Sequence, residues 1–262
     1  ETVVPPQYYS LGSGQEIVFT SFTTDGTFVQ PAAPTLRRIE FVGDSITAAT
    51  NIRRPAGAPS CADNGFQSDY PASYEAQLCS NFSASCSTIA VGGKCMVSAC
   101  GGLQMPQYYQ SLLYNEAPAA TFDFAASPPP DAMVIHLGTN DYNHFGPNPT
   151  ASQNELFADT FLEFMKNATI LYHKPDIQFF LPTGPILATS LNGTLLALEK
   201  AAAANIKATW INMTTACQNL PWWSPDPNAD GCDGCAHHPG VHGHHNMFLA
   251  AQPVIASIMG WD

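Results

Sequence analysis

Arg38-Ile-Glu-Phe-Val-Gly-Asp-Ser-Ile-Thr47 opens on a short apolar run and breaks at a glycine. Ile39 to Val42 reads as a buried strand, because a brief apolar stretch closed by a turn signal suits a strand covered on both faces. The glycine permits a tight turn, so Ser45 falls just beyond the strand's carboxyl end. The pattern recurs: Ser87-Thr-Ile-Ala-Val91 stops at Gly92-Gly93, and Met133-Val-Ile-His-Leu137 stops at Gly138. Residues 177–181 and 210–213 read as two more strands. Helical spacing fills the intervals at 68–79, 104–114, 153–172, 191–206 and 243–259. It is clearest where Phe157, Phe161, Phe164, Ala168 and Leu171 form one stripe. Strands alternating with helices predict an α/β fold with a mostly parallel sheet over residues 37–262. Residues 1–36 read as an N-terminal appendage, a short β-hairpin turning at Asp25-Gly26. Parallel sheets bind ligands beyond the carboxyl ends of their strands, which directs attention to the residues after each glycine.

The chain has 262 residues, 45% of them apolar, with 9 Lys plus Arg against 21 Asp plus Glu and a net charge of −12. That balance excludes nucleic acid as a partner, since a phosphate-binding surface displaces counterions with cationic side chains. Charged residues are 11%, well under the ~25% of an ordinary soluble domain. Eight cysteines, at 61, 79, 86, 95, 100, 217, 232 and 235, are expected to form disulfides whose pairing the sequence does not dictate. Asn81, Asn167, Asn192 and Asn212 each begin an N-x-Ser/Thr triplet, the acceptor pattern for N-glycosylation. No apolar run approaches the ~20 residues that span a bilayer, and the chain begins at Glu1, as a mature or trimmed form would. The reading is a secreted protein with no membrane partner.

Three segments carry groups suited to acyl transfer. Ser45 in Gly-Asp-Ser-Ile is either a nucleophile at a strand end or the cap of a following helix whose amides point at the site. Asn140 in Gly-Thr-Asn-Asp either donates its amide to an oxyanion or closes an Asx-turn. His237-His-Pro-Gly-Val-His-Gly-His-His245 offers general bases. A zinc reading of these histidines with Cys232 and Cys235 competes. It is set aside because cysteines of an exported protein are expected to be oxidised and the histidines lack regularly spaced partner ligands; no metal and no cofactor are expected. Trp222, Trp223 and Tyr142 are candidates for an aromatic, carbohydrate-facing surface, or else anchor the core.

Taken in order, the motifs resemble those of the SGNH (GDSL-type) hydrolases. Ser45 matches the nucleophile block, Gly93 in Ala90-Val-Gly-Gly-Lys94 the glycine block, Asn140 the asparagine block and His238, before Pro239, the histidine block. The opening 38–47 and the ending 238–244 look most like carbohydrate esterase family 2. That resemblance implies a flavodoxin-like three-layer α/β/α sandwich and removal of acetyl groups from plant polysaccharide such as xylan or glucomannan. It also implies Ser45 as nucleophile, His238 as base, and an oxyanion hole of the Ser45 and Gly93 amides with the Asn140 side chain. Two departures stand out. Only a hairpin's length of chain precedes the hydrolase domain, where the family has a β-sandwich. The acid usually three residues before the histidine is Cys235, so Asp233 or a backbone carbonyl must orient His238. A lipid or aryl-ester hydrolase on this scaffold, and an inactive carbohydrate-binding protein, are the competing readings.

Overall fold

The computed structural model describes residues 25–26, 36–54, 67–97, 100, 104–111, 121–186, 190–217 and 234–261. Five strands form one sheet: β1 (Arg38–Gly43), β2 (Ser85–Ala90), β3 (Ala132–His136), β4 (Gln178–Thr183) and β5 (Ala208–Asn212). Their order is β2-β1-β3-β4-β5, and every pairing is parallel. The helices are α1 (Tyr74–Asn81), α2 (Met105–Tyr108), α3 (Thr139–Phe145), α4 (Ala151–Leu171), α5 (Leu191–Ala203) and α6 (Val241–Met259).

Strand periodicity decides which residue faces which layer. In β1, Ile39 and Phe41 point to one face with Val134, Phe180 and Ile211, and α1 and α6 cover that face through Tyr74, Leu78, Met247, Ala251 and Ile255. Val42, Met133, Ile135, Phe179 and Leu181 point the other way, beneath α4 and α5 with Phe157, Phe161, Phe164 and Met165. Burial of each such side chain contributes about 1.5–3 kcal/mol, so the two apolar layers hold the sheet in register. Glu40 breaks the apolar run of β1 yet is only 2% exposed. Tyr109 and Tyr172 donate to its carboxyl at 2.5 and 2.9 Å, so burial raises its pKa while three hydroxyls, with Ser87, oppose the rise.

The expected elements appear with shifted ends. Tyr70–Ala72, with Pro71 inside, is a separate 3₁₀ turn, and α1 starts afterwards under the Ser73 cap, whose hydroxyl accepts from the Ala76 amide at 3.1 Å. The helix expected over 104–114 is a four-residue turn of helix at its described start. Residues 44–51, expected to begin a helix, are successive turns. The converse miss is α3: Thr139–Phe145 is helical although its Thr, Asn, Asp and His are weak helix formers. The N-terminal hairpin lies outside the described residues apart from Asp25 and Gly26, which are exposed. No helix among the described residues is long and apolar enough to cross a membrane.

Helix α6 carries Pro253 in its interior, on the exposed side away from its buried stripe. A mid-helix proline removes one backbone hydrogen bond and crowds the preceding turn, at ~3 kcal/mol relative to alanine, offset in part by a stiffer unfolded chain. Pro253→Ala should therefore stabilise the protein by ~1–2 kcal/mol, read as a rise of ~2–4 °C in Tm by calorimetry.

Candidate active site

Three adjacent strand ends, those of β2, β1 and β3, carry the candidate residues. Ser45 follows β1, Gly93 follows β2 and Asn140 follows β3 at the start of α3. The chain runs from β1 outward to β2 and then returns past β1 to β3, so the β1/β3 boundary is the point where ligands collect in a sheet of this order. Ser45 is 7% exposed. Its turn is built by Asp44, whose Oδ1 accepts the Ile46 amide at 3.0 Å, and by the Ala48 and Thr50 amides, which donate to the Asp44 and Ser45 carbonyls at 3.0 Å each. Gly43 admits no side chain, because a Cβ there would collide with Thr47 and the His136 carbonyl.

Gly93 sits at φ +74°, in the left-handed region, two residues before Cys95, which is bonded to Cys100. Asp141 fastens the same segment to α3: its carboxylate accepts the Met96 and Val97 amides at 3.0 and 2.8 Å. Asn140 ties all three strand ends together, since its Nδ2 donates to Asp44 Oδ2 and to the Lys94 carbonyl, both at 3.1 Å. The sequence marked Asn140 and Gly93 but not Asp44, Asp141 or the Lys94 carbonyl. The only available signal was that both carboxyls stand beside a motif residue at the end of a buried strand.

His238 arrives from the loop before α6. That loop is shaped by two left-handed residues, Ala236 (φ 50°) and His237 (φ 61°), and by amide bonds from Gly234 to the His238 carbonyl and from His238 to the Cys235 carbonyl. It docks on the Ser45 turn, where the Cys235 amide donates to the Asn51 carbonyl at 2.8 Å. His238 Nδ1 lies 3.0 Å from the Ala236 carbonyl. A carbonyl only accepts, so Nδ1 carries the proton and Nε2 presents its lone pair. His237 is exposed, and His244 is fully buried in α6, where its Nδ1 accepts the Tyr74 amide at 3.3 Å. The histidines of the motif thus diverge, and among the described residues no group of three His, Cys, Asp or Glu side chains is arranged to hold a metal. Cys235 and Cys217 are both disulfide-bonded, as are Cys79 with Cys86.

Tyr142 is placed differently from the carbohydrate-facing role considered for it. It is 1% exposed, donates its hydroxyl to Asn154 at 2.7 Å and packs edge-on against Phe145 and Phe157. Being the fourth residue after the N-cap glycine of α3, it is carried into the core by the helix the sequence reading missed. Asp233, Trp222 and Trp223 lie outside the described residues.

The ionisable groups around the site are displaced from their ordinary ranges by burial. Asp44 is pushed up to about 7 and Asp141 to about 6. Burial lowers His136 to about 4 and His244 to about 3, so both rings are neutral. His136 donates from Nε2 to the Gly184 carbonyl at 2.6 Å and faces the Tyr74 hydroxyl with Nδ1 at 3.3 Å. These two histidines lie beneath the strand ends, whereas His238 is half-buried on its loop.

Residues 41–245 match the GDSL-like lipase/acylhydrolase family. A carbohydrate esterase family 2 enzyme with its carbohydrate-binding domain, from Corynascus thermopiles (Myceliophthora fergusii), is similar at a TM-score of 0.74 and 27% identity, over 91% of this chain and 71% of that one. The cellulase/esterase CelE of Acetivibrio thermocellus is 28% identical over 264 residues, which cover 96% of this chain but 29% of that protein. An acetyl xylan esterase from Butyrivibrio proteoclasticus shares the fold at a TM-score of 0.69 and 19% identity, over 91% of this chain and 68% of that one. With the four blocks brought to one edge of the sheet and the family match running across all of them, the chain belongs to the GDSL-like lipase/acylhydrolase family of ester hydrolases.

Proposed function

We propose that the chain is a secreted serine esterase that removes acetyl groups from polysaccharide through an acyl-enzyme. The observation that carries this reading is the convergence of Ser45, Gly93 and Asn140 at adjacent strand ends with the His238 loop docked on the Ser45 turn. Ser45 Oγ attacks the ester carbonyl and His238 Nε2 takes its proton, as the Ala236 carbonyl holds Nδ1 in the donor tautomer. The oxyanion is received by the Ser45 and Gly93 amides and by Asn140. His238 passes the proton to the departing sugar hydroxyl, then activates the water that releases acetate. No cofactor enters these steps.

The substrate class is supported by the carbohydrate esterases among the similar proteins, and acetylated xylan or glucomannan is the substrate we assign. Export and glycosylation are supported by the disulfides and by the exposure of all four sequon asparagines, Asn81, Asn167, Asn192 and Asn212.

Ser45→Ala should lower kcat on p-nitrophenyl acetate by at least ~10⁴-fold, and a fluorophosphonate should label Ser45 in the parent protein, read by peptide mass. Rates across p-nitrophenyl esters should fall steeply from acetate to butyrate; faster turnover of octanoate would transfer the chain to a lipid-ester role. Gly93→Ala meets no atom within 4 Å of the new Cβ. Its effect is conformational: ~1–2 kcal/mol to hold alanine left-handed, and an amide displaced from the oxyanion. A loss of ~10–100-fold in kcat with KM little changed is expected. The Ala236 carbonyl stands 3.0 Å from His238 Nδ1, and the Asp233 carboxylate is the other candidate for orienting the ring. Asp233→Asn distinguishes them: kcat within about tenfold of the parent leaves a Ser45–His238 dyad, and a loss beyond ~100-fold gives the orienting role to the carboxylate.

A further inference from the structure

We propose that Asp44 is a positioning residue for ester hydrolysis, its buried carboxylate aiming the Asn140 amide and fastening it between the nucleophile turn and the glycine turn. The inference rests on the esterase reading above and adds to it a group that reads solvent pH into the oxyanion hole.

The geometry suits Asp44 best when it is ionised. Its Oδ1 accepts the Ile46 amide at 3.0 Å and its Oδ2 accepts Asn140 Nδ2 at 3.1 Å. Both neighbours are donors, and Asp44 is 1% exposed. The carboxylate accepts strongly on both oxygens, whereas protonation turns one of them into a hydroxyl, a weaker acceptor. The other hydrogen of Asn140 Nδ2 goes to the Lys94 carbonyl at 3.1 Å, so both of its N–H directions are fixed by two bonds to two different turns. When an oxyanion forms, the bond to the neutral carbonyl is the weaker of the two and is the one shared with it. The charge-assisted bond to Asp44 holds the amide plane still. Asp44 touches no substrate in this account and acts through Asn140.

The surroundings set where Asp44 titrates. Burial pushes it up to about 7, the Ile46 amide pulling against the rise and the Asp141 carboxylate of α3 adding to it. From α1, Tyr74 and the fully buried Glu75 also face it, each raised in part by the Asp44 charge. Lys94 contributes its carbonyl, while its ammonium lies over the Tyr108 ring at 5.9 Å. With a folded value near 7 against an ordinary 3.8, the folded protein keeps a proton that the unfolded chain releases. The contribution of this group to stability is therefore full below about pH 4 and is lost as pH rises through 7. The site becomes competent over the same interval in which it becomes less stable.

The test is a pH series, from 4.5 to 9, of kcat, KM and Tm for the full chain and for Asp44→Asn, Asn140→Ala, their double variant and Ser45→Ala, on p-nitrophenyl acetate. In the parent protein the acid limb of log kcat/KM should steepen to a slope of 2, because Asp44 and His238 must both lose a proton. In Asp44→Asn the slope should be 1, kcat at pH 8 should be lower by ~30–300-fold with KM within threefold, and Tm should vary less between pH 5 and 8. An amide at 44 has one accepting atom for two donors, so one bond is lost in either rotamer. Because Asp44 acts through Asn140, the double variant should be no slower than Asn140→Ala. A parent limb of slope 1 throughout overturns the proposal without any variant, as does an Asp44→Asn protein with parental kcat and pH profile, or losses that add in the double variant. Ser45→Ala separates the two levels: retention of hydrolysis there removes the esterase site itself, whereas its loss beside an unaffected Asp44→Asn removes the Asp44 inference alone.

Discussion

Parallel strands joined by right-handed crossovers place their connecting helices on one face for as long as the chain moves in one direction along the sheet. Here the direction reverses once, after β2, and β3 returns to the far side of β1. The reversal sends α1 to one face and α4 and α5 to the other, and it sets the ends of β1 and β3 side by side at one edge of the sheet. Ser45 and Asn140 stand there because each lies two residues beyond a glycine at its strand's end. The glycines before them let the backbone turn across the sheet edge at once, without overshooting it. A chain winding steadily from edge to edge, with the same motifs, would have separated them by a strand.

Ionisable groups beneath this edge are numerous for so dry a region, and their preferences oppose each other. His136 and His244 are held neutral well below their ordinary value of 6.5. The unfolded chain therefore takes up protons before the folded one as pH falls, and their support is present above about 6.5 and lost on acidification toward 4 and 3. Asp44 and Asp141 work in the reverse sense, their support being full below about 4 and lost as pH rises through 6 and 7. The two sets therefore oppose each other in stability across the acidic range, while above neutral pH the two carboxylates carry charge beside two neutral rings.

Strands and long helices were legible in the sequence because they answer to burial alone. A run such as Met133-Val-Ile-His-Leu137 has no other stable home than the middle of a sheet, and the Phe157 stripe of α4 no other partner than its face. Candidate residues were legible where a motif and a strand end coincide, at Ser45, Gly93 and Asn140, and, for His238, in its place directly before Pro239. The site was not legible where geometry depends on residues far apart in sequence. Helix α3 is stabilised by docking, through Asp141 on the 96–97 amides and Tyr142 in the core, and its own residues carry no helical signal. That is why Tyr142 could be mistaken for a surface ring. The Ala236 carbonyl beside His238 Nδ1 was equally hidden, because it follows from two left-handed residues that are neither glycine nor asparagine.

Two of the disulfides join near neighbours, Cys79 to Cys86 and Cys95 to Cys100, seven and five positions apart. By the chain-entropy route these bonds, closing loops so short, contribute about 2 kcal/mol each, less than a long loop would. Their consequence lies in the order of events during oxidative folding. Each pair can meet before the sheet exists, since the encounter requires no distant segment to arrive. Once both have closed, the combinatorial problem of eight cysteines shrinks to Cys61, Cys217, Cys232 and Cys235, for which three pairings remain. The slow reshuffling that burdens cysteine-rich chains is thereby confined to four cysteines, of which Cys217, Cys232 and Cys235 lie late in the chain, Cys235 only three positions before His238.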